Sequence, residues 1–303
     1  MAPAEAGSTQ AGQRVAVIAN MEKMSEEDAG KLRCALEAYG ITNQDWIELA
    51  QGADVKQSVA RAVKAGAKTI VVCGGDGSVR LAAEALSGTG VALSVVPEGT
   101  GNVFVAGLDL PTDLDEIAKA VATGNRKTID TGTCNGETFN LMAGSGFDVG
   151  MMSPSDEEKA RLGFLAYIRA AIGEMLSRRS FQVEVAIDDT PFYSGPSSGV
   201  LVAKLGSKKG FVETFPDASP TDGLLHVAVI TAVGPWEWLG LIALALVRRQ
   251  KKSGEAKIGQ GAKVSAVFGT ARQFELDGDI QGRAAKLECE VKPGSLVICT
   301  PQD

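Results

Sequence analysis

One histidine, His226, in 303 residues leaves nothing from which to build a zinc cluster or a histidine-based catalytic triad. It stands in an alternating run, Leu224 to Ile230, and reads as a structural residue of a strand. Cysteine is sparse as well. Cys34, Cys73, Cys134, Cys289 and Cys299 form no close pair and no metal spacing, so a disulfide framework is excluded. They read as reduced, mostly buried thiols of a cytoplasmic protein. An excess of basic charge is missing too. With 30 basic against 37 acidic residues the net charge is −7, which argues against nucleic acid as a partner. Long apolar runs are absent: Leu239 to Val247 falls far short of the roughly 20 residues that span a bilayer. Met1 to Gln13 has neither a basic start nor an apolar core, so it is expected to be a disordered leader rather than a signal peptide. The expectation is a soluble protein.

What is present is enough apolar residue, 45%, to build two domain cores. From Arg14 to about Asp130, strand and helix signals alternate, which implies βαβ units around a mainly parallel sheet. Arg14 to Ala19 is a first strand, followed by a helix with Ser25 as its cap, Asp28 at the capping-box position and Gly40 as its stop. Trp46 to Leu49 is the next strand, and a second helix opens at Asp54 and stops at Gly66. A further helix is expected over Thr112–Ala122. Beyond Thr131 the pattern changes to short alternating runs at 138–142, 181–187, 198–204, 224–230, 263–268, 272–276, 286–291 and 296–299, as in an antiparallel sandwich. Two helices are expected among them, over 155–176 and 235–247. The fold class is therefore α/β plus all-β: a three-layer α/β domain over about 14–130, then an antiparallel β-sandwich over 131–292.

Two loops carry the chemistry. The buried run Thr69 to Val72 breaks at Gly74, Gly75, Asp76, Gly77 and Ser78, and an Ala/Leu-rich helix follows. Strand, glycine turn and helix aim backbone N–H groups and a helix N-terminus at an anion. Asp76 would repel a bare phosphate, but it suits a site that also holds a cation, a sugar hydroxyl or a phosphoryl-transfer step. The competing reading is an ordinary turn with Asp76 or Ser78 as helix cap. After the strand Ala92 to Val96 comes a second such loop, Pro97-Glu98-Gly99-Thr100-Gly101-Asn102. Two glycine loops at the carboxyl ends of parallel strands would line one ligand crevice.

Together these loops resemble the diacylglycerol kinase catalytic family, which includes bacterial lipid kinases, sphingosine kinases and ceramide kinases. The resemblance runs from Arg14 to the C-terminus and extends to Phe139–Asp148, Pro216–Ala218, Thr221–Leu225 and Phe274–Asp279. It implies MgATP-dependent phosphorylation of a lipid hydroxyl in a cleft between a nucleotide domain and a β-rich lipid-substrate domain. It also implies that about 293–303 folds back onto the first domain. Nucleotide contacts carry over to Asn20, Gly74, Gly75, Asp76, Gly77, Ser78, Gly99, Thr100, Gly101 and Asn102. The family's acidic turn maps to Asp277 and Asp279, with Asp277 as the expected base, assisted or replaced by Asp279, and with Asp at 279 where Glu is usual. A structural magnesium would be held by the Asp222 side chain and the carbonyls of Ser219 and Leu224. On the residues alone, both segments also read as tight turns without ligands. The chain departs from the family at Glu48, at Asn20–Met24, at Ser78, at Arg80-Leu81 and in the shortened segment 206–210.

The segment Trp236–Val247 with the basic run Arg248–Lys252 has two readings, docking on anionic lipid headgroups or packing on the sandwich. The expected partners are thus a lipid substrate and a peripheral membrane surface on the cytoplasmic side, with a homodimer open. Two other functions fit less of the pattern. One is a soluble-substrate kinase related to NAD kinase or phosphofructokinase. The other is a non-catalytic lipid- or nucleotide-binding protein, which Arg80-Leu81 and Glu48 would favour.

Overall fold

The computed structural model describes residues 12–50, 52–98, 102–146, 180–205, 215, 218–231 and 256–302. The expected helices over 155–176 and 235–247, the segment 206–210 and most of the leader lie outside them. The chain divides into two compact units, one of residues 1–131 with 292–303, the other of residues 132–291.

In the first unit, β1 (Val15–Asn20), β2 (Gln44–Leu49), β3 (Thr69–Gly74) and β4 (Ala92–Pro97) alternate with α1 (Glu26–Ala38), α2 (Val55–Lys64) and α3 (Asp76–Leu86). Two further helices follow, α4 (Val103–Gly107) and α5 (Leu114–Thr123). The four strands pair in parallel in the order β4-β3-β1-β2. The apolar runs of β1 and β3 are buried on both faces, as a parallel sheet covered by helices requires. Val15, Val17, Val71 and Cys73 share one core cluster with Leu32 and Leu36 of α1 and Ile117 and Val121 of α5. The alternate residues Ile18, Ile70 and Val72 are buried on the opposite face, and α2 and α3 pack against each other and against the strands. Three layers result. Local chemistry sets the helix starts. The Ser25 hydroxyl accepts from the Asp28 N–H and donates to the Asp28 carboxylate, and the Asp54 carboxylate accepts from the Gln57 N–H.

β5 (Asn125–Cys134) leads out of this unit. The second contains β6 (Glu137–Phe139), β7 (Met142–Ser145), β8 (Phe181–Ile187), β9 (Thr190–Ser197), β10 (Gly199–Ala203), β11 (Leu225–Ile230), β12 (Ala256–Gly261) and β13 (Lys263–Leu276). β14 (Asp279–Thr300) begins here and returns to the first unit at Lys292, where Val297 and Ile298 pair in parallel with Ala92 and Leu93 of β4. Within the second unit the pairing is antiparallel. β13 bends at a register shift between Val267 and Arg272. Its first half pairs with β8 and its second half with β7, so one strand serves two layers. Val183, Val202, Val227, Val264, Phe268 and Leu287 lie in the core that results.

Candidate active site

In the first unit β3 ends at Gly74, and α3 begins one residue later with Gly75 as its N-cap. The helix therefore starts at Asp76, before the Ser78 expected from composition. Glycine at 74 is dictated by sterics: a Cβ there would lie 2.9 Å from Ser78 Cβ. Gly75, as N-cap, supplies no side-chain acceptor of its own to the N-terminus formed by Asp76, Gly77 and Ser78. Such an end is a natural place for an anion.

Asp76 does something the sequence did not reveal. Its two carboxylate oxygens accept from the N–H groups of Val103 (3.1 Å) and Phe104 (3.2 Å), the first residues of α4. Asn102 caps the same helix through its Oδ1 on the Val105 N–H, and its Nδ2 donates to the Gly74 carbonyl at 3.4 Å. The Glu98 N–H donates to that carbonyl as well, at 3.1 Å. Asp76 and Asn102 thus lace the two loops together, each side chain bonded to the opposite loop. Gly99, Thr100 and Gly101 lie outside the described residues. Asn20, at the end of β1, accepts from the Glu22 N–H through its side chain and shapes the following turn. That turn carries Lys23, whose Nζ is 3.6 Å from where a Cβ on Gly75 would sit. This places an ammonium beside the glycine turn, and only the three-dimensional turn reveals it. Burial raises the Glu98 carboxyl, and Asp28 adds to the effect. Burial also pushes the Cys73 thiol far up, again helped by Glu98, so this cysteine at the end of β3 is inert.

The departures nearby have structural places. Arg80 is buried on α3, with its guanidinium 3.9 Å from Glu84, and Lys56 of α2 holds the same carboxylate at 2.6 Å. Glu48 is exposed on β2.

In the second unit Asp277 and Gly278 form a two-residue hairpin between β13 and β14, with φ of +52° and +88°. Both values suit the tightest hairpin turns, for which Asp-Gly is a favoured pair. The Asp277 carboxylate accepts from the N–H groups of Asn140 (2.8 Å), Leu141 (2.8 Å) and Met142 (3.0 Å). Its own N–H donates to the Met142 carbonyl. Asp277 is therefore an anchor that fixes the turn to the segment joining β6 and β7. Asp279, two residues on, is exposed at the start of β14.

The presumed magnesium loop does bring its three oxygens together, but around a protein cation. Lys204 Nζ lies 2.7 Å from the Ser219 carbonyl, 2.7 Å from Asp222 Oδ1 and 3.2 Å from the Leu224 carbonyl. With the ammonium in that place the donor set does not fit a magnesium ion. Asp222 also accepts from the Ser219 and Leu224 N–H groups and from His226 Nε2, each at 3.0 Å. Burial alone would raise the Asp222 carboxyl, but the bonds from Lys204, His226 and the two N–H groups outweigh it and hold it well below the usual carboxylate range. Among the described residues no cluster of His, Cys, Asp and Glu forms a metal site.

Comparison with known proteins agrees with this architecture. Residues 14–134 match the diacylglycerol kinase catalytic domain, and residues 142–300 match the YegS C-terminal NAD kinase beta sandwich-like domain. The uncharacterized protein sll0036 of Synechocystis is 29% identical over 252 residues, which are 82% of this chain and 58% of that protein. The chain thus spans somewhat more than half the length of that relative. A Pseudomonas aeruginosa protein named probable lipid kinase YegS-like is 29% identical over 82% of each chain. The crystal structure of a candidate diacylglycerol kinase from Bacillus anthracis superposes with a TM-score of 0.76, at 20% identity, over 95% of this chain and 97% of that one. Matched over both units in this order, the chain belongs to the diacylglycerol kinase catalytic family.

Proposed function

We propose that the protein is an ATP-dependent lipid kinase that transfers the γ-phosphate to a lipid hydroxyl. The observation that carries this reading is the lacing of the two glycine loops, in which Asp76 and Asn102 each bond to the opposite loop. The N-terminus of α3 and the Lys23 ammonium beside it then serve as preorganised positive groups. Phosphoryl transfer draws most of its acceleration from such positioning and charge stabilisation. ATP arrives as the magnesium complex, and the first unit binds its phosphates.

The remaining need is a base for the alcohol proton. Asp277 has both oxygens committed to backbone N–H groups, so its part is to position the turn. The base in this reading is Asp279, the exposed carboxylate of the same turn. Peripheral attachment to an anionic membrane surface through Trp236–Lys252 would present the lipid; that segment lies outside the described residues.

The test is transfer of label from ATP to a panel of lipids in mixed micelles, with NAD and fructose 6-phosphate as soluble acceptors. Lipid-dependent incorporation is the expected result. Transfer to a soluble acceptor alone would replace the reading by that of a soluble-substrate kinase. ATP binding with no transfer would leave a nucleotide-binding protein.

A further inference from the structure

Lys204 directly follows β10, a strand of five buried residues, and its side chain is fully buried. A lysine in such a place must meet compensating charge and hydrogen-bond acceptors, because an isolated buried ammonium is very costly. It meets the Asp222 carboxylate and the carbonyls of Ser219 and Leu224, at 2.7, 2.7 and 3.2 Å. This acceptor set, one carboxylate and two main-chain carbonyls converging from one loop, is of the kind that holds a hard divalent cation.

We propose that Lys204 is a built-in substitute for a metal ion: its ammonium organises the loop Ser219–Leu224, and the loop binds no divalent cation. Two arguments exclude joint occupancy. The distances are those of charge-assisted hydrogen bonds, whereas magnesium would need its oxygens at about 2.0–2.1 Å and calcium at about 2.3–2.6 Å. An ion at the focus of these oxygens would therefore sit against the ammonium. Charge agrees: a divalent ion would add two positive charges beside an ammonium whose side chain is fully buried. The rest of the loop is already closed by its own bonds. Asp222 spans the Ser219 and Leu224 N–H groups, and His226, directed from β11, braces its second oxygen. The consequence is a second unit whose folding is independent of metal, so that the protein's magnesium requirement is confined to the nucleotide.

The experiment uses the full chain without nucleotide and compares thermal melts in chelator, magnesium chloride and calcium chloride. The proteins are the wild type, Asp222→Asn and Lys204→Ala. The wild type is expected to melt at the same temperature with chelator and with either ion. A response equal in the wild type and Asp222→Asn lies outside the loop and also agrees with the proposal. Lys204→Ala is expected to melt roughly 10 °C lower in chelator and to regain part of that loss with divalent ions, because the vacated acceptors can then hold one. A wild-type gain of several degrees in magnesium that Asp222→Asn abolishes would overturn the proposal. So would a Lys204→Ala protein that folds but ignores both ions. If Lys204→Ala does not fold, the wild-type and Asp222→Asn melts decide the matter alone.

Discussion

Two aspartates two residues apart in one hairpin have different work, and their environments say which. Asp277 accepts three N–H bonds and occupies a left-handed conformation that Asp tolerates better than most residues. Asn in its place keeps the turn geometry but presents an amide to donors that need acceptors. Asp277→Asn should therefore lower stability by about 1–3 kcal/mol, the cost of leaving buried donors unmatched. Asp279→Asn, at an exposed position, should leave stability unchanged and lower kcat by about 10²–10⁴-fold, the usual contribution of a general base. Denaturant titration and steady-state kinetics on both variants separate the roles. A stable Asp277→Asn that loses turnover, beside a fully active Asp279→Asn, would reverse the assignment. The same reasoning gives Asp76 a structural task, since its carboxylate caps α4 across the loops.

At the scale of elements, the sequence declares those whose cause is local. The apolar runs of β1, β3 and β4 and the caps at Ser25 and Asp54 are readable because a few adjacent residues set them. β5 is hidden because its first half is polar and largely exposed, and only its second half is buried. β9 is hidden by Pro191 and Pro196; it pairs with β8 alone among the described strands, and an edge tolerates the missing donors. Two separate runs, 286–291 and 296–299, prove to be parts of the single strand β14. The glycine loops were legible as loops, but the bonds of Asp76 and Asn102 to the opposite loop span 27 and 28 residues and depend on the neighbouring places of β3 and β4. Lys204 was illegible for the same reason, its partners lying 15 to 20 residues further on. The glycine turn also gives a paired test. Gly74→Ala would press its Cβ on Ser78 Cβ at 2.9 Å and should cost about 1–3 kcal/mol of stability. Gly75→Ala, at φ −87° and 3.6 Å from Lys23 Nζ, should fold normally but raise the KM for ATP, because the methyl stands where phosphate approaches. Equal melting of the two variants would contradict this account of the turn.

For the whole molecule, the C-terminal part of β14 returns to pair with β4 and buries Leu296, Ile298 and Cys299 in the first unit. Burial pushes the Cys299 thiol up to about 11, the reverse of a reactive thiolate, so the residue serves as core. Each buried aliphatic side chain contributes about 1.5–3 kcal/mol against a total stability of about 5–15 kcal/mol. Removing residues 292–303 should therefore cost the first unit its cooperative fold and its ATP binding, visible as a lost melting transition. A truncated chain that still binds ATP would show that the returning strand is dispensable. No helix of the described residues is long and apolar enough to cross a membrane. The central claim is phosphoryl transfer to a lipid, and one measurement addresses it directly. The protein is incubated with lipid micelles and ATP labelled either at the γ- or at the α-phosphate, and radioactivity in the extracted lipid is counted. Label should enter the lipid from γ-labelled ATP only, and should fall with Asp279→Asn. Lipid that stays unlabelled with either nucleotide, while the folded protein binds ATP, would contradict the account.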